Sequence, residues 1–196
     1  MATPTAITGR VFFNANANGS TEPSETGLAK VAVSDGRTVV LTAEDGTYTI
    51  ADTSGPFVFI SLPRGYRSVG LFYARTSPGG VIDFPLTAWT ESSGDIARFV
   101  HITDIHMGFT TVNVSTFKDD LAEIDALEPK PSFALITGDL VHIGDDTTQY
   151  DSYREGIGTL DLPHFSFPGN HDVENATGFD HYHHYLGPDY YSFNFA

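Results

Sequence analysis

Three short polar clusters, each closing an apolar run, constrain what this chain can fold into more than any other feature. Residues 98–103, 132–137 and 164–167 are rich in apolar, β-branched or aromatic side chains and read as buried strands. They run respectively into Asp104-Ile105-His106, Gly138-Asp139 and Gly169-Asn170-His171-Asp172. Between the first two, residues 114–127 carry Phe117, Leu121, Ile124 and Leu127 at helical spacing, ahead of Pro129 and Pro131. A second helix is expected over roughly residues 147–160, with Tyr150, Tyr153 and Ile157 on its apolar side. Strand, helix, strand implies parallel strands joined by right-handed crossovers. Ligands of an open α/β sheet bind beyond the carboxyl ends of its strands. The three clusters therefore converge on one site supplied with carboxylate, amide oxygen and imidazole, a donor set suited to hard or borderline divalent metals.

Taken in this order, the clusters resemble the calcineurin-like metallophosphoesterases, whose pattern runs D-x-H, then G-D, then G-N-H-[DE], then two later histidine motifs. The resemblance covers the chain from about Ile96 onward, with Gly169-Asn170-His171-Asp172 as its most specific element. It implies the N-terminal part of an α/β metallophosphoesterase sandwich domain over residues 91–196. It also implies two divalent ions, with Mn, Fe, Zn, Co and Mg all admitted by N/O ligands. By the same resemblance Asp104 and His106 hold one metal, Asn170 holds the second, and Asp139 bridges them. His171 is then the catalytic histidine, with Asp172 orienting its ring. The implied reaction is hydrolysis of a phosphate monoester or diester, with a metal-bridging hydroxide as nucleophile and His171 as general acid. Two ions about 3.5–4 Å apart lower the pKa of water and clamp phosphoryl oxygens, and a positioned imidazole protonates the leaving alkoxide.

The two later histidine motifs of that pattern do not occur up to Ala196, and the remainder of the catalytic domain is expected to follow that residue. The alternative is a non-catalytic fragment or binding module. His181, His183 and His184 come too soon after Asn170 to be those motifs. They read as solvated histidines of a loop or short helix near the cleft. Residues 187–193 resemble the next strand of the family's sheet. His101 reads as a satisfied core histidine and His142 as a cleft-lining residue. Purple acid phosphatases have a tyrosine ligand where His142 stands and Asp-x-Gly where His106 stands, and both departures argue against that subfamily.

The first half reads differently. Residues 6–62 are short β-rich runs between turn signals, an antiparallel β-sandwich pattern. Asp35-Gly36 and Asp45-Gly46 are hairpin signals, and residues 81–86 read as a further strand. The pattern resembles the small transthyretin-like or carboxypeptidase-regulatory domain that precedes many bacterial members of the same family, and it is assigned to residues 1–90. The linker is expected at residues 90–94. Asn14, Asn16, Asn18 and Glu25 have the spacing of a calcium loop, with neutral residues in the early positions that imply weak affinity. A polar hairpin loop explains the same residues through the tolerance of Asn and Gly for positive φ.

Charge separates the halves. The formal net charge is −15. Residues 1–88 hold six basic and seven acidic side chains, residues 89–196 four and eighteen, and all eight histidines lie beyond residue 100. No basic stripe is present to gather a nucleic-acid backbone. A phosphorylated small molecule or phosphodiester would need metal ions to offset the acidic field. Cysteine is absent, which excludes disulfides and thiolate metal sites. No apolar run approaches the roughly 18 residues of a membrane span, and the first residues show neither the basic nor the apolar region of a signal peptide.

Overall fold

The computed structural model describes residues 6–53, 55–77, 79–90 and 96–195. They form two compact units, Met1–Asp95 with Tyr190–Ala196, and Ile96–Asp189. Of the linker expected at residues 90–94, all but Thr90 lies outside the described residues.

Among the described residues the first unit has nine strands: β1 (Ile7–Phe13), β2 (Thr26–Gly27), β3 (Ala32–Ser34), β4 (Val39–Leu41), β5 (Thr47–Ile50), β6 (Phe57–Ile60), β7 (Tyr66–Ser68), β8 (Tyr73–Arg75) and β9 (Phe84–Ala88). One sheet runs β2-β1-β9-β7, with β5 also on β1, and the other runs β4-β3-β6-β8. Every pairing is antiparallel except β1 with β9, which is parallel. Ile7, Val11 and Phe12 of β1, Phe84 and Leu86 of β9, and Val58 of β6 are buried.

The two Asp-Gly turns have different roles. Asp35-Gly36 closes the β3–β4 hairpin, the Asp35 carboxylate accepting from the Arg37 and Thr38 amides. Asp45-Gly46 instead carries the chain from β4 in one sheet to β5 in the other. Gly46 has φ +82°, and a Cβ there would lie 2.2 Å from the Val11 carbonyl oxygen. The turn is specified locally, but β5 finds its partner in β1, which lies far upstream.

The loop after β1 bonds to itself. Asn14 is fully buried, and its amide donates to Asn18 Oδ1, to the Ser20 carbonyl and to Glu25 Oε1. Asn16 Oδ1 accepts from the Asn18 amide.

Residues 187–193 were expected to form the next strand of the α/β sheet, but from Tyr190 onward the chain belongs to the first unit. Phe193 bridges Leu62, the Asn194 amide donates to the Leu62 carbonyl at 2.9 Å, and the Tyr191 ring meets Phe72 at 4.6 Å. Its aromatic side chains find apolar partners there, as burial of such large rings favours.

The second unit comprises β10 (Phe99–Ile102), α1 (Val114–Asp125), β11 (Phe133–Thr137), α2 (Thr147–Ile157), β12 (His164–Phe167), α3 (Asn170–Val173) and α4 (Phe179–Tyr185). The strands form a parallel sheet in the order β10-β11-β12. Asn113 caps α1, its side chain accepting from the Ser115 and Thr116 amides, and Asp146 caps α2 through the Thr148 amide. Phe117 and Leu121 of α1 pack with Ala134, Ile136, Tyr150 and Tyr153. The buried tyrosines find partners for their hydroxyls: Tyr153 meets Ser166 Oγ, and Tyr182 donates to the Ser166 carbonyl. α1 stops before Leu127, which is 46% exposed, so the apolar stripe is one residue shorter than its spacing suggested. His101 is exposed on β10 and bonds Thr137 Oγ1, so its expected core position is not found.

Leu121→Ala is expected to destabilise the second unit by about 2–5 kcal/mol, because it empties buried volume. Leu127→Ala is expected to change stability by no more than about 0.5 kcal/mol. Urea unfolding of the two variants checks this.

Candidate metal centre

The parallel pairing of β10 and β11 continues past their ends and sets the site. The Asp104 amide donates to the Gly138 carbonyl at 3.2 Å, His106 to Asp139 at 2.8 Å, and Met107 to Leu140 at 3.0 Å. The Gly138 amide in turn donates to the Phe167 carbonyl of β12 at 3.0 Å. The three strand-end loops are thus tied side by side.

Close approach fixes the glycines. A Cβ on Gly138 (φ +87°) would sit 2.8 Å from the Gly169 Cα, and one on Gly169 would sit 2.2 Å from Asp139 Oδ1. Among the described residues, six non-glycine positions have positive φ, and Asp104 (54°), His106 (50°) and Asp139 (51°) are three of them. Asp and His tolerate this region better than most residues. Each such conformation still costs on the order of 1–3 kcal/mol and persists where surrounding structure over-determines it. Here the loop ladder does so.

The result is a cluster of ligand-type atoms. Those of Asp104, His106 and Asp139 lie within 4.8 Å of one another. His106 Nε2 is 3.8 Å from Asp104 Oδ1 and 3.7 Å from Asp139 Oδ2. Two ligands bound to one ion at about 2.1 Å are at most about 4.2 Å apart, and both His106–carboxylate separations lie inside that limit. Asp139 faces two ways: Oδ2 lies toward His106, while Oδ1 accepts from the His171 amide at 3.0 Å. Asn170 is the exposed first residue of α3, between Gly169 and His171, both of which contact Asp139.

His171 and Asp172 part company at this point. Asp172 is fully buried, and its carboxylate accepts from the Gly169 amide at 2.7 Å and from the Leu140 and Val141 amides at 3.0 Å each. Burial pushes its pKa up, and the three backbone bonds pull against that shift. The His171 ring is held elsewhere: its Nδ1 lies 2.8 Å from the His142 carbonyl oxygen and 3.5 Å from Glu174 Oε1. The ring orientation expected from Asp172 is therefore supplied by a main-chain carbonyl, and Asp172 clasps backbone. The hydrogen bond to the His142 carbonyl, helped by the charges of Glu174 and Asp139 against partial burial, raises the His171 pKa.

His142 is the residue that the sequence reading undervalued. Its Nδ1 lies 3.4 Å from His106 Nδ1, and its ring stacks on His171 at 5.2 Å and 21°. His106, His142 and His171 form a second group with ligand atoms within 4.8 Å of one another. The only signal for it in sequence was its place three residues after Asp139, and the ladder that brings it to His106 is not local. His181 and His183 bond the Gly144 carbonyl and Asp189 instead, and neither they nor His184 join either group among the described residues.

Residues 97–196 match the calcineurin-like phosphoesterase family, and residues 15–77 match the N-terminal region of calcineurin-like phosphoesterases. The chain belongs to the calcineurin-like phosphoesterase family. It is similar to a probable glycerophosphodiester phosphodiesterase GpdQ of Arcobacter nitrofigilis, 36% identical over 52 residues, covering 26% of this chain and 19% of the relative. It is also similar to a glycerophosphodiester phosphodiesterase GpdQ of Enterobacter lignolyticus, 31% identical over 80 residues, covering 37% of this chain and 28% of the relative. The matches thus span under a third of either relative's length. Family members use divalent metals, and the Asp104/His106/Asp139 cluster is the kind of site that holds one.

Asp172→Asn keeps the shape but presents an amide donor to backbone N–H groups, and is expected to cost about 1–3 kcal/mol. Gly169→Ala is expected to push Asp139 aside and weaken metal binding. Calorimetric unfolding and metal titration of the two variants check these outcomes.

Proposed function

We propose that this cluster is the centre of a metal-dependent phosphoesterase acting on a phosphodiester. The observation that carries the reading is the convergence of Asp104, His106 and Asp139 on one point, with the His171 ring 4.6 Å from that of His106. The diester preference rests on the names of the two GpdQ relatives.

Asp104 and His106 would hold one ion and Asn170 the second, with Asp139 shared between them. When bound, such a pair of ions supplies an activated water and neutralises developing phosphoryl charge. The chain's own residues do the rest. Asp139 is fixed by the His171 amide, which leaves its other oxygen directed at His106. His171 holds Nδ1–H on the His142 carbonyl, which leaves Nε2 for the leaving-group oxygen. The His142 carbonyl and the nearby carboxylates favour its protonated form, the form a general acid requires. Asp172 acts as a positioning residue, holding the two loops that carry Asp139 and His171.

The two sheets of the first unit are assigned to a β-sandwich of transthyretin or carboxypeptidase-regulatory type over residues 1–90, with the phosphoesterase domain beginning after it and the segment from Tyr190 returning to the first unit. Alternating burial along β5 supports the sandwich. Its 14–25 loop is assigned as a polar connection, because the Asn14 amide already occupies the oxygens that a calcium ion would need.

Bis-p-nitrophenyl phosphate should be hydrolysed in preference to p-nitrophenyl phosphate, and only with added divalent metal. Metal-independent turnover would overturn the reading. Asp139→Asn should weaken metal binding by more than about 100-fold, whereas Asp119→Asn, exposed on α1, should bind as the parent does. Glu174→Gln removes a charge that raises the His171 pKa. Activity that needs protonated His171 is present below that pKa and lost above it, so the alkaline limb of kcat should move to lower pH. An unmoved limb would count against His171 as the acid.

A further inference from the structure

We propose that His142 is a positioning residue that fixes the metal-ligating ring of His106 and links it to His171. The inference rests on the reading that Asp104, His106 and Asp139 hold a metal. A histidine that ligates a metal through one ring nitrogen has a second N–H that needs an acceptor, and that partner sets the ring's tautomer and orientation. His106 directs Nε2 at Asp104 and Asp139, so Nδ1 is the nitrogen that needs one. The group facing it is His142 Nδ1, at 3.4 Å. A neutral His142 protonated on Nε2 presents a lone pair there. Carboxylates and carbonyls are the usual acceptors in this role. Unlike a carboxylate, a neutral imidazole adds no further negative charge to a site that already holds two carboxylates.

His142 is itself held on several sides. Its amide donates to Gln149 Oε1 at 2.9 Å and to the Met107 carbonyl at 3.1 Å. Gln149 is buried on α2, and Gly108 passes so close that a Cβ there would lie 2.7 Å from the Gln149 amide carbon. The His142 ring meets Phe109 at 4.4 Å and His171 at 5.2 Å. The same residue offers its carbonyl to His171 Nδ1. One residue thus orients the ligand with its side chain and the acid with its main chain, so the separation of metal and acid is set by a single, well-anchored unit.

Two variants separate hydrogen bonding from packing. His142→Phe keeps a ring against Phe109 and His171 and the carbonyl to His171, but removes the acceptor. His142→Asn restores an acceptor oxygen and loses the stacking. Mn²⁺ affinity is read by electron paramagnetic resonance on the full chain, with Co²⁺ visible absorption as a second readout of ligand geometry. His142→Phe is expected to weaken metal binding about 10–100-fold and to change the Co²⁺ spectrum, and His142→Asn is expected to recover most of the affinity. Parent-like binding by His142→Phe would overturn the proposal, and so would equal loss in both variants, which would mark a packing role alone. Asp139→Asn serves as the reference. If it too bound metal like the parent, the metal reading itself would fail. If it alone lost the metal, that reading would stand and the role of His142 would fall.

Discussion

The buried carboxylate of Asp172 accepts three backbone N–H bonds, two from the loop after β11 and one from the loop after β12. Removing a charge from water is costly unless it is fully bonded, and here the compensation comes from peptide groups that would themselves be orphaned. Asp139 and His171 sit on the two loops so joined, and the Tyr150 hydroxyl holds the Asp172 carbonyl at 2.9 Å from α2. The geometry of the whole site depends on this clasp, although Asp172 has no place among the clustered ligand atoms.

Around the clasp the backbone is strained where chemistry is needed. Asp104, His106 and Asp139 adopt left-handed conformations at the ends of parallel strands, which turns three side chains from divergent peptide directions toward one point. Parallel hydrogen bonding continued from β10 and β11 into their loops holds them there. Two carboxylates and an imidazole brought so near repel a polyanion unless a cation sits among them. Strain and charge therefore favour the same occupant.

Much of the fold was legible because its signals are local. The Phe117/Leu121 stripe, the Asp35-Gly36 turn and the strand-ending clusters each need only a few neighbouring residues. What was missed depended on distant partners. Asp45-Gly46 makes its turn as expected, yet whether β5 then pairs with β4 or β1 is decided by β1. An aromatic run such as residues 190–195 suits an inner strand or a cover over Leu62 and Phe72 equally well. Asp172 looked like a partner of its neighbour His171, but adjacent residues on a short helix point in different directions.

Composition and motif order by themselves determined that the acidic half is a parallel α/β unit with Asp104, His106, Asp139, Asn170 and His171 at strand ends, and that the neutral half is β-rich. The reason is that strand alternation, helical spacing and turn chemistry are properties of consecutive residues. Only the tertiary structure decided that His142 faces His106, that a carbonyl rather than Asp172 holds the His171 ring, and that the last residues join the first unit. Those contacts join residues 29 to more than 100 positions apart. Their geometry is set by loop-to-loop hydrogen bonding and close glycine contacts, which leave no periodic trace along the chain.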